Sequence, residues 1–148
     1  MKAYADGLRM LAGRELSEAQ VRRRLTRRAH SPEDIDDAIQ RLLQDGSIND
    51  ARTAAAIGRR EIAKRRGRLR VRRAIEAAGI AGSVARNVTD ALFTETDANT
   101  LLEAALARRL RHRTAIKDDA EFRRLYRALI AQGFEPDAVL RLLVAKRR

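Results

Sequence analysis

Nine basic side chains fall within fifteen residues of this chain: Arg59, Arg60, Lys64, Arg65, Arg66, Arg68, Arg70, Arg72 and Arg73, opposed there only by Glu61. Guanidinium groups carry forked donors that match phosphate and carboxylate oxygens two at a time, so the chemistry on offer is the gripping of anions. Like charges at this density repel one another, which favours a counter-surface over an idle solvated face. Phosphates along a nucleic-acid backbone, or a row of carboxylates on an acidic protein, suit such an array.

Two smaller clusters are more ambiguous. Arg22, Arg23, Arg24, Arg27 and Arg28 are followed by Glu33, Asp34, Asp36 and Asp37, so pairing within the chain competes with binding there. Arg108, Arg109, Arg111, Arg113 and Lys117 gather at the end of an expected helix, where cations also favour the negative end of its dipole. Lys146-Arg147-Arg148 reads as a frayed, solvated tail that adds only to the general field. The candidate binding residues are the nine of the first cluster together with Arg108, Arg109 and Arg111.

The wider charge distribution agrees. The formal net charge is +12, from 32 basic and 20 acidic residues. Residues 1–50 hold nine of each sign and are neutral. Residues 51–100 hold eleven basic against five acidic, and residues 101–148 twelve against six. A field of this size attracts polyanions: nucleic acid, an acidic protein surface or an anionic membrane. Arginine supplies 28 of the basic residues, a bias to which an Arg- and Ala-rich genome also contributes.

Catalytic chemistry finds no foothold. The absence of Cys excludes disulfides, thiol nucleophiles and zinc–thiolate sites. His30 and His112 have no carboxylate pair or second His at ligand spacing, so no metal is expected. Ser17 and Ser31 read as helix caps, since no partnered His follows either. No phosphate-binding glycine loop is present, and Tyr4, Phe93, Phe122, Tyr126 and Phe134 sit where core packing, rather than base stacking, explains them. A non-enzyme without cofactor is expected. No apolar run reaches the roughly 20 residues needed to cross a bilayer, and no apolar signal core opens the chain, so the expected location is the cytoplasm and no membrane is involved.

Helices must position these groups. The hydrophobic share is 45% but aromatics make up only 3%, leaving Ala, Leu, Ile and Val to fill closely packed helices. A first helix over about 3–13 carries Leu8 and Leu11 three apart. Ser17-Glu18-Ala19-Gln20 forms a capping box that opens a helix with Val21 and Leu25 on one face. Ser31-Pro32-Glu33-Asp34 starts a third, with Ile35, Ile39 and Leu42 as its stripe and Gly46 as its stop. Asn49 or Asp50 caps a long fourth helix running to about Arg66, on which Arg59, Lys64 and Arg66 lie within about a quarter-turn of one another. Gly67 breaks it, and Val71 and Ile75 mark a fifth that Gly79 stops. Val84, Val88, Ala91 and Leu92 mark a sixth. Asp97 caps a seventh with Leu101, Leu102, Ala105, Leu106 and Leu110. An eighth carries Phe122, Leu125 and Leu129 up to Gly133, and Glu135-Pro136 opens the ninth with Val139, Leu142 and Leu143.

The pattern repeats. Ser17, Val21, Leu25 and Leu42 recur as Gly67, Val71, Ile75 and Leu92. About 54 residues on, Leu125 and Leu129 match Val71 and Ile75, and Gln132-Gly133-Phe134 matches Ala78-Gly79-Ile80. A period near fifty marks stacked helical units, each too small to stand alone. The expected fold is all-α: three tandem three-helix, helix-turn-helix-like repeats over 1–48, 49–96 and 97–148, forming an elongated, curved array.

These residues also carry a family resemblance. Leu42 to Arg52, reading Leu-Leu-Gln-Asp-Gly-Ser-Ile-Asn-Asp-Ala-Arg, is similar to the "L-x-x-x-G-hydrophobic-[DN]-D-x-R" signature of the RecX family. Glu15-Leu16-Ser17 through Leu25 resembles its opening motif, Arg70 to Ile80 its following turn, and Leu129 to Phe134 its "L-x-R-R-G-F" segment. Thr53 stands where the family usually has Phe. Val21 or Gln20 stands where an acidic residue is usual, and Gly67-Arg68-Leu69-Arg70 replaces "G-x-G-P". The resemblance spans nearly the whole chain. It implies a monomer that binds RecA filaments and modulates, mainly inhibits, their ATPase, strand exchange and co-protease activities in DNA repair and the SOS response. Single- or double-stranded DNA is then a partner through the basic face. The alternative is a helix-turn-helix transcriptional regulator that binds DNA, since two short helices joined by a Ser-Pro or Gly turn imitate that motif. A general helical scaffold for acidic partners is a third reading.

Overall fold

The computed structural model describes residues 2–147. It contains α1 (Lys2–Gly13), α2 (Glu18–Arg27), α3 (Pro32–Gln44), α4 (Asp50–Ala63), α5 (Arg68–Ala77), α6 (Gly82–Glu95), α7 (Ala98–Leu110), α8 (Asp119–Ala131) and α9 (Pro136–Ala145). The described residues form no strand; a lone bridge pairs Ile116 with Arg147. The all-α expectation holds.

Local chemistry sets most helix ends. Ser17 Oγ accepts from the Gln20 N–H at 3.1 Å while the Ser17 N–H donates to Gln20 Oε1 at 2.9 Å, completing the capping box. Ser31 caps α3 through the Asp34 N–H, with Pro32 in its first turn, and Asp97 caps α7 through the Asn99 N–H. Asn49 rather than Asp50 caps α4, its Oδ1 accepting from the Arg52 N–H at 3.0 Å. Asp118, unread in the sequence, caps α8 through the Glu121 N–H at 2.8 Å. Gly46, Gly79 and Gly133 each fall two residues past the helix they stop.

One end departs from expectation. α4 stops at Ala63 instead of running to Arg66, because Arg65 adopts a left-handed backbone with φ +62°. The Arg66 N–H then closes the helix on the Glu61 carbonyl at 3.1 Å, the bond of a Schellman cap whose left-handed position normally holds Gly. Lys64 and Arg66 therefore leave the helix, and the quarter-turn stripe with Arg59 does not form.

Packing divides the chain into two compact units. The first comprises the described residues up to Ile57 together with Ile75–Val88. Its core joins Ala3, Leu16, Val21, Leu25, Ile35, Ala38, Ile39, Leu42 and Ile48. Burying a Leu or Ile of this kind contributes about 1.5–3 kcal/mol relative to leaving it in water. Helix α1 meets α3 at Gly7, where a Cβ would lie 2.7 Å from Leu42 Cδ1. That crossing turns the Ala3–Gly7 face inward and leaves Leu8 38% exposed, against the expectation that Leu8 would share the apolar face.

The second unit comprises Gly58–Ala74 with the described residues from Thr89 onward. Leu102, Ala105, Leu106, Leu110, Ile116, Leu125, Leu129, Phe134, Val139 and Leu143 form its core. Here Gly58 faces Leu92 as Gly7 faces Leu42, about fifty residues on, so the repeat read in the sequence is a repeat of packing too. Thr89 occupies the place that Ile39 holds in the first unit, and its buried hydroxyl has no partner among the described residues. The C-terminal basic residues are not the solvated tail expected. The Ile116 N–H donates to the Lys146 carbonyl at 2.9 Å, and Arg147 pairs with Asp119 and lies 4.6 Å over the Phe122 ring. Arg148 lies outside the described residues.

Candidate polyanion interface

Within the second unit, the α4–α5 turn and the start of α5 bring Lys64, Arg65, Arg66 and Arg70 together with Arg108 and Arg109 from the last turn of α7. Together they line an open groove of about 490 Å³ whose remaining walls are Gln132 and the small side chains of Ala105, Ala128 and Ala131. Small walls let an extended anion approach the helices closely, and six cations around one groove concentrate positive potential there. An adjoining groove shares Arg108 and Arg109 and adds Arg111, Arg124 and Arg127. No aromatic ring lines either groove, so neither offers a base-stacking platform.

The remaining candidate residues are placed differently. Arg59, Arg60, Arg72 and Arg73 line neither groove. Arg68 turns away to an ion pair with Asp90, its guanidinium 6.0 Å from the Phe93 ring. Lys64 keeps a long contact to Glu61 at 3.9 Å, with its side chain still 62% exposed. Arg66 and Arg108 have no ion pair among the described residues. Arg124 and Arg127 were not singled out in the sequence, and Gln132 was read only as part of a turn. The two arginines lie one turn apart on the outer face of α8, interleaved with the apolar positions of its core face, so no run of charge announces them.

Backbone contacts build the groove. The Gly67 N–H donates to the Gln132 carbonyl at 2.9 Å, and the Leu69 N–H to the Gly133 carbonyl at 3.0 Å. A Cβ at Gly67 would lie 2.5 Å from the Gly133 backbone, so only glycine permits the approach. Arg70 Nη1 adds a bond to the Ala131 carbonyl at 3.1 Å. Strain at Arg65 thus sits beside the densest charge, the pattern expected where function over-determines a local conformation.

Elsewhere, positive charge serves structure. Arg113 clasps Glu121 at 2.8 and 2.5 Å, and the Lys117 N–H donates to the same carboxylate at 3.0 Å. The Arg113 hydrogen bond above all, and then that N–H, lower the Glu121 pKa from 4.5 to about 2. In the first unit Arg22 pairs with Asp36 at 2.6 Å and Glu18 at 3.7 Å, and Arg28 with Asp6 at 3.7 Å. Intramolecular pairing therefore absorbs part of that cluster. His30 Nε2 lies 2.7 Å from Asp6 Oδ2, and this contact, foremost, holds the Asp6 carboxyl below its usual range. No group of three or more potential metal ligands gathers among the described residues, and no helix is long and apolar enough to cross a membrane.

The two sequence motifs nearest the N-terminus prove to be one structural device. Arg52 Nε donates to both Glu15 carboxylate oxygens, at 2.9 and 3.0 Å, while its Nη atoms reach the Gly46 and Ser47 carbonyls at 3.0 Å. Asp50 Oδ1 accepts from the Glu18 N–H at 2.9 Å. Thr53, in place of Phe, is buried with its hydroxyl 3.2 Å from Glu15 Oε2 and 3.3 Å from the Leu16 carbonyl. The signature thus braces the α1–α2 loop against the start of α4.

Comparison with known proteins completes the picture. Residues 3–42 match a family model described as RecX, first three-helix domain. The regulatory protein RecX of Chromohalobacter salexigens is 32% identical over 90% of this chain and 86% of its own length. That of Leptothrix cholodnii is 33% identical over 92% and 83%. The crystal structure of RecX from Lactobacillus salivarius shares the fold, with TM-score 0.78 and 20% identity over 97% of this chain and 96% of that one. Identity above 30% over most of both chains places this protein in the RecX family of regulatory proteins.

Proposed function

We propose that the protein binds RecA filaments on DNA through the basic groove of its second unit and thereby restrains RecA ATPase, strand exchange and co-protease activity. The observation that carries this reading is the gathering of Lys64, Arg65, Arg66, Arg70, Arg108 and Arg109 around one open groove in a RecX-family chain. Arg59, Arg60, Arg68, Arg72, Arg73 and Arg111 extend the positive field around it. The contact is electrostatic and blind to base sequence, because guanidinium groups meet phosphates or carboxylates and no aromatic platform is at hand. The protein acts by occupancy rather than chemistry, as a cytoplasmic monomer without cofactor. We assign its three-helix units to 1–48, 49–96 and 97–148, an assignment supported by the recurrence of Gly7–Leu42 as Gly58–Leu92.

The test is RecA-catalysed ATP hydrolysis on single-stranded DNA with this protein added below equimolar ratio. Inhibition is expected. The variant combining Arg65→Glu, Arg66→Glu, Arg108→Glu and Arg109→Glu is expected to lose it, by tenfold or more, with helical content unchanged. Full inhibition by that folded variant removes the groove from the mechanism. Protection of one duplex sequence from nuclease, without effect on RecA, identifies a transcriptional repressor instead.

A further inference from the structure

Gln132 carries no charge, yet the contacts that shape the groove converge on it and its two neighbours. Its side-chain amide spans two elements at once: Nε2 donates to the Arg65 carbonyl at 2.7 Å, and Oε1 accepts from Arg109 Nη2 at 3.2 Å. The Arg65 carbonyl only accepts and the Arg109 guanidinium only donates, so a single amide orientation satisfies both. The Gln132 carbonyl in turn receives the Gly67 N–H. Arg65 lies in the α4–α5 turn and Arg109 in the last turn of α7, so this one residue ties together two of the elements that line the groove.

Six cations facing one groove repel, and long side chains left unbraced lose entropy when a partner orders them. A bracing contact made before binding removes part of that cost. We propose that Gln132 is a positioning residue, holding Arg65 and Arg109 at a spacing that lets both engage one anionic partner. The proposal rests on the function proposed above and adds that the spacing of the charges, besides their number, sets affinity. It also explains why the turn keeps a left-handed Arg65: that conformation aims the Arg65 carbonyl at the Gln132 amide.

Gln132→Met preserves side-chain length and net charge while removing both side-chain hydrogen bonds. Its binding to RecA filaments on single-stranded DNA is to be measured across a range of salt, beside the four-charge variant. Binding is expected to weaken about five- to tenfold. The slope of log affinity against log salt is expected to become shallower by about 1 to 2, because fewer cations engage although none has been removed. A residue that merely supports the fold would lower the folded fraction and leave that slope alone. Exchanging the pair, Gln132→Arg with Arg109→Gln, restores a donor to the Arg65 carbonyl and a bond across the groove at constant charge, and is expected to recover the slope. Wild-type affinity and slope in Gln132→Met, with the four-charge variant silent, overturn the positioning role and leave the function standing. Undiminished binding by the four-charge variant overturns both. Should Gln132→Met not fold, the exchanged pair decides, and a shallow slope there overturns the proposal.

Discussion

The start of α2 and the start of α5 dock in the same way on a turn some sixty residues further along, but with different chemistry. In the first unit a side chain makes the joint: Ser17, fully buried, caps α2 and donates its Oγ to the Ala78 carbonyl at 2.5 Å. In the second, Gly67 stands in the place of Ser17 and bare backbone takes over, through the paired bonds to Gln132 and Gly133. The first joint is neutral, a hydroxyl pinned to a carbonyl beside Ala19. Arg65 and Arg70 flank the second, and Arg109 reaches it from α7. With no side chain at Gly67 the two backbones meet directly, and charged residues flank the contact. One joint is scaffold; its repeat is scaffold and, on the function proposed above, binding surface together.

The largest expected break falls on the glycines. Gly133→Ala would force φ +103° on an alanine and drive its Cβ against both the side chain and the backbone of Arg70. A loss of about 2–4 kcal/mol is expected in denaturant unfolding. Gly79→Ala, with φ +81° but only the Ala19 Cβ in its way, should lose less, about 1–2 kcal/mol. Equal losses would mean that the backbone clasp is no tighter than the hydroxyl pin. Next in size, Ser17→Ala removes both the cap and the pin, at a cost of about 1–2 kcal/mol in thermal melts. Filament binding by the folded fraction should be unmoved, since that joint carries no groove residue. Smallest is Arg65→Gly, which relieves the left-handed strain and should add up to about 1 kcal/mol of stability while weakening filament affinity. A stabilised variant that binds as tightly as before would show that Arg65 contributes geometry without contact.

Much of this architecture was legible because it is local. Ser17 with Gln20, Ser31 with Pro32, and Asp97 announce helix starts through bonds spanning two or three residues, and glycines announce stops. The core positions Val21, Leu25, Ile39, Val71, Ile75 and Leu129 follow from helical period, and all are buried. What escaped depends on distant partners. The face of α1 is set by Gly7 meeting Leu42, and a lone glycine inside a helix reads only as a penalty. α4 ends early because Arg65 accepts a conformation usually left to glycine, supported from Gln132. On α6 the buried positions are Ala85, Thr89 and Leu92, while Val84 and Val88 are only half-buried, a shift that periodicity alone does not resolve. Arg147 looked free because its partners Asp119 and Phe122 lie a helix away. For the groove, runs of charge revealed Lys64 to Arg70 and Arg108–Arg109. Arg124, Arg127 and Gln132 were hidden because one stands in a turn and the others alternate with core residues.

The bond from Gln132 to the Arg65 carbonyl closes over 67 positions of sequence, and that separation is also an interval of time. At about 5–20 residues per second, a ribosome takes roughly 3 to 13 seconds to pass from one residue to the other. Throughout that interval the nascent chain carries its densest run of arginine without the bond that braces the Arg65 turn. The lining of the groove is complete only once Gln132 has been added, so the capacity proposed here, to hold a polyanion, matures well after the charge itself has appeared.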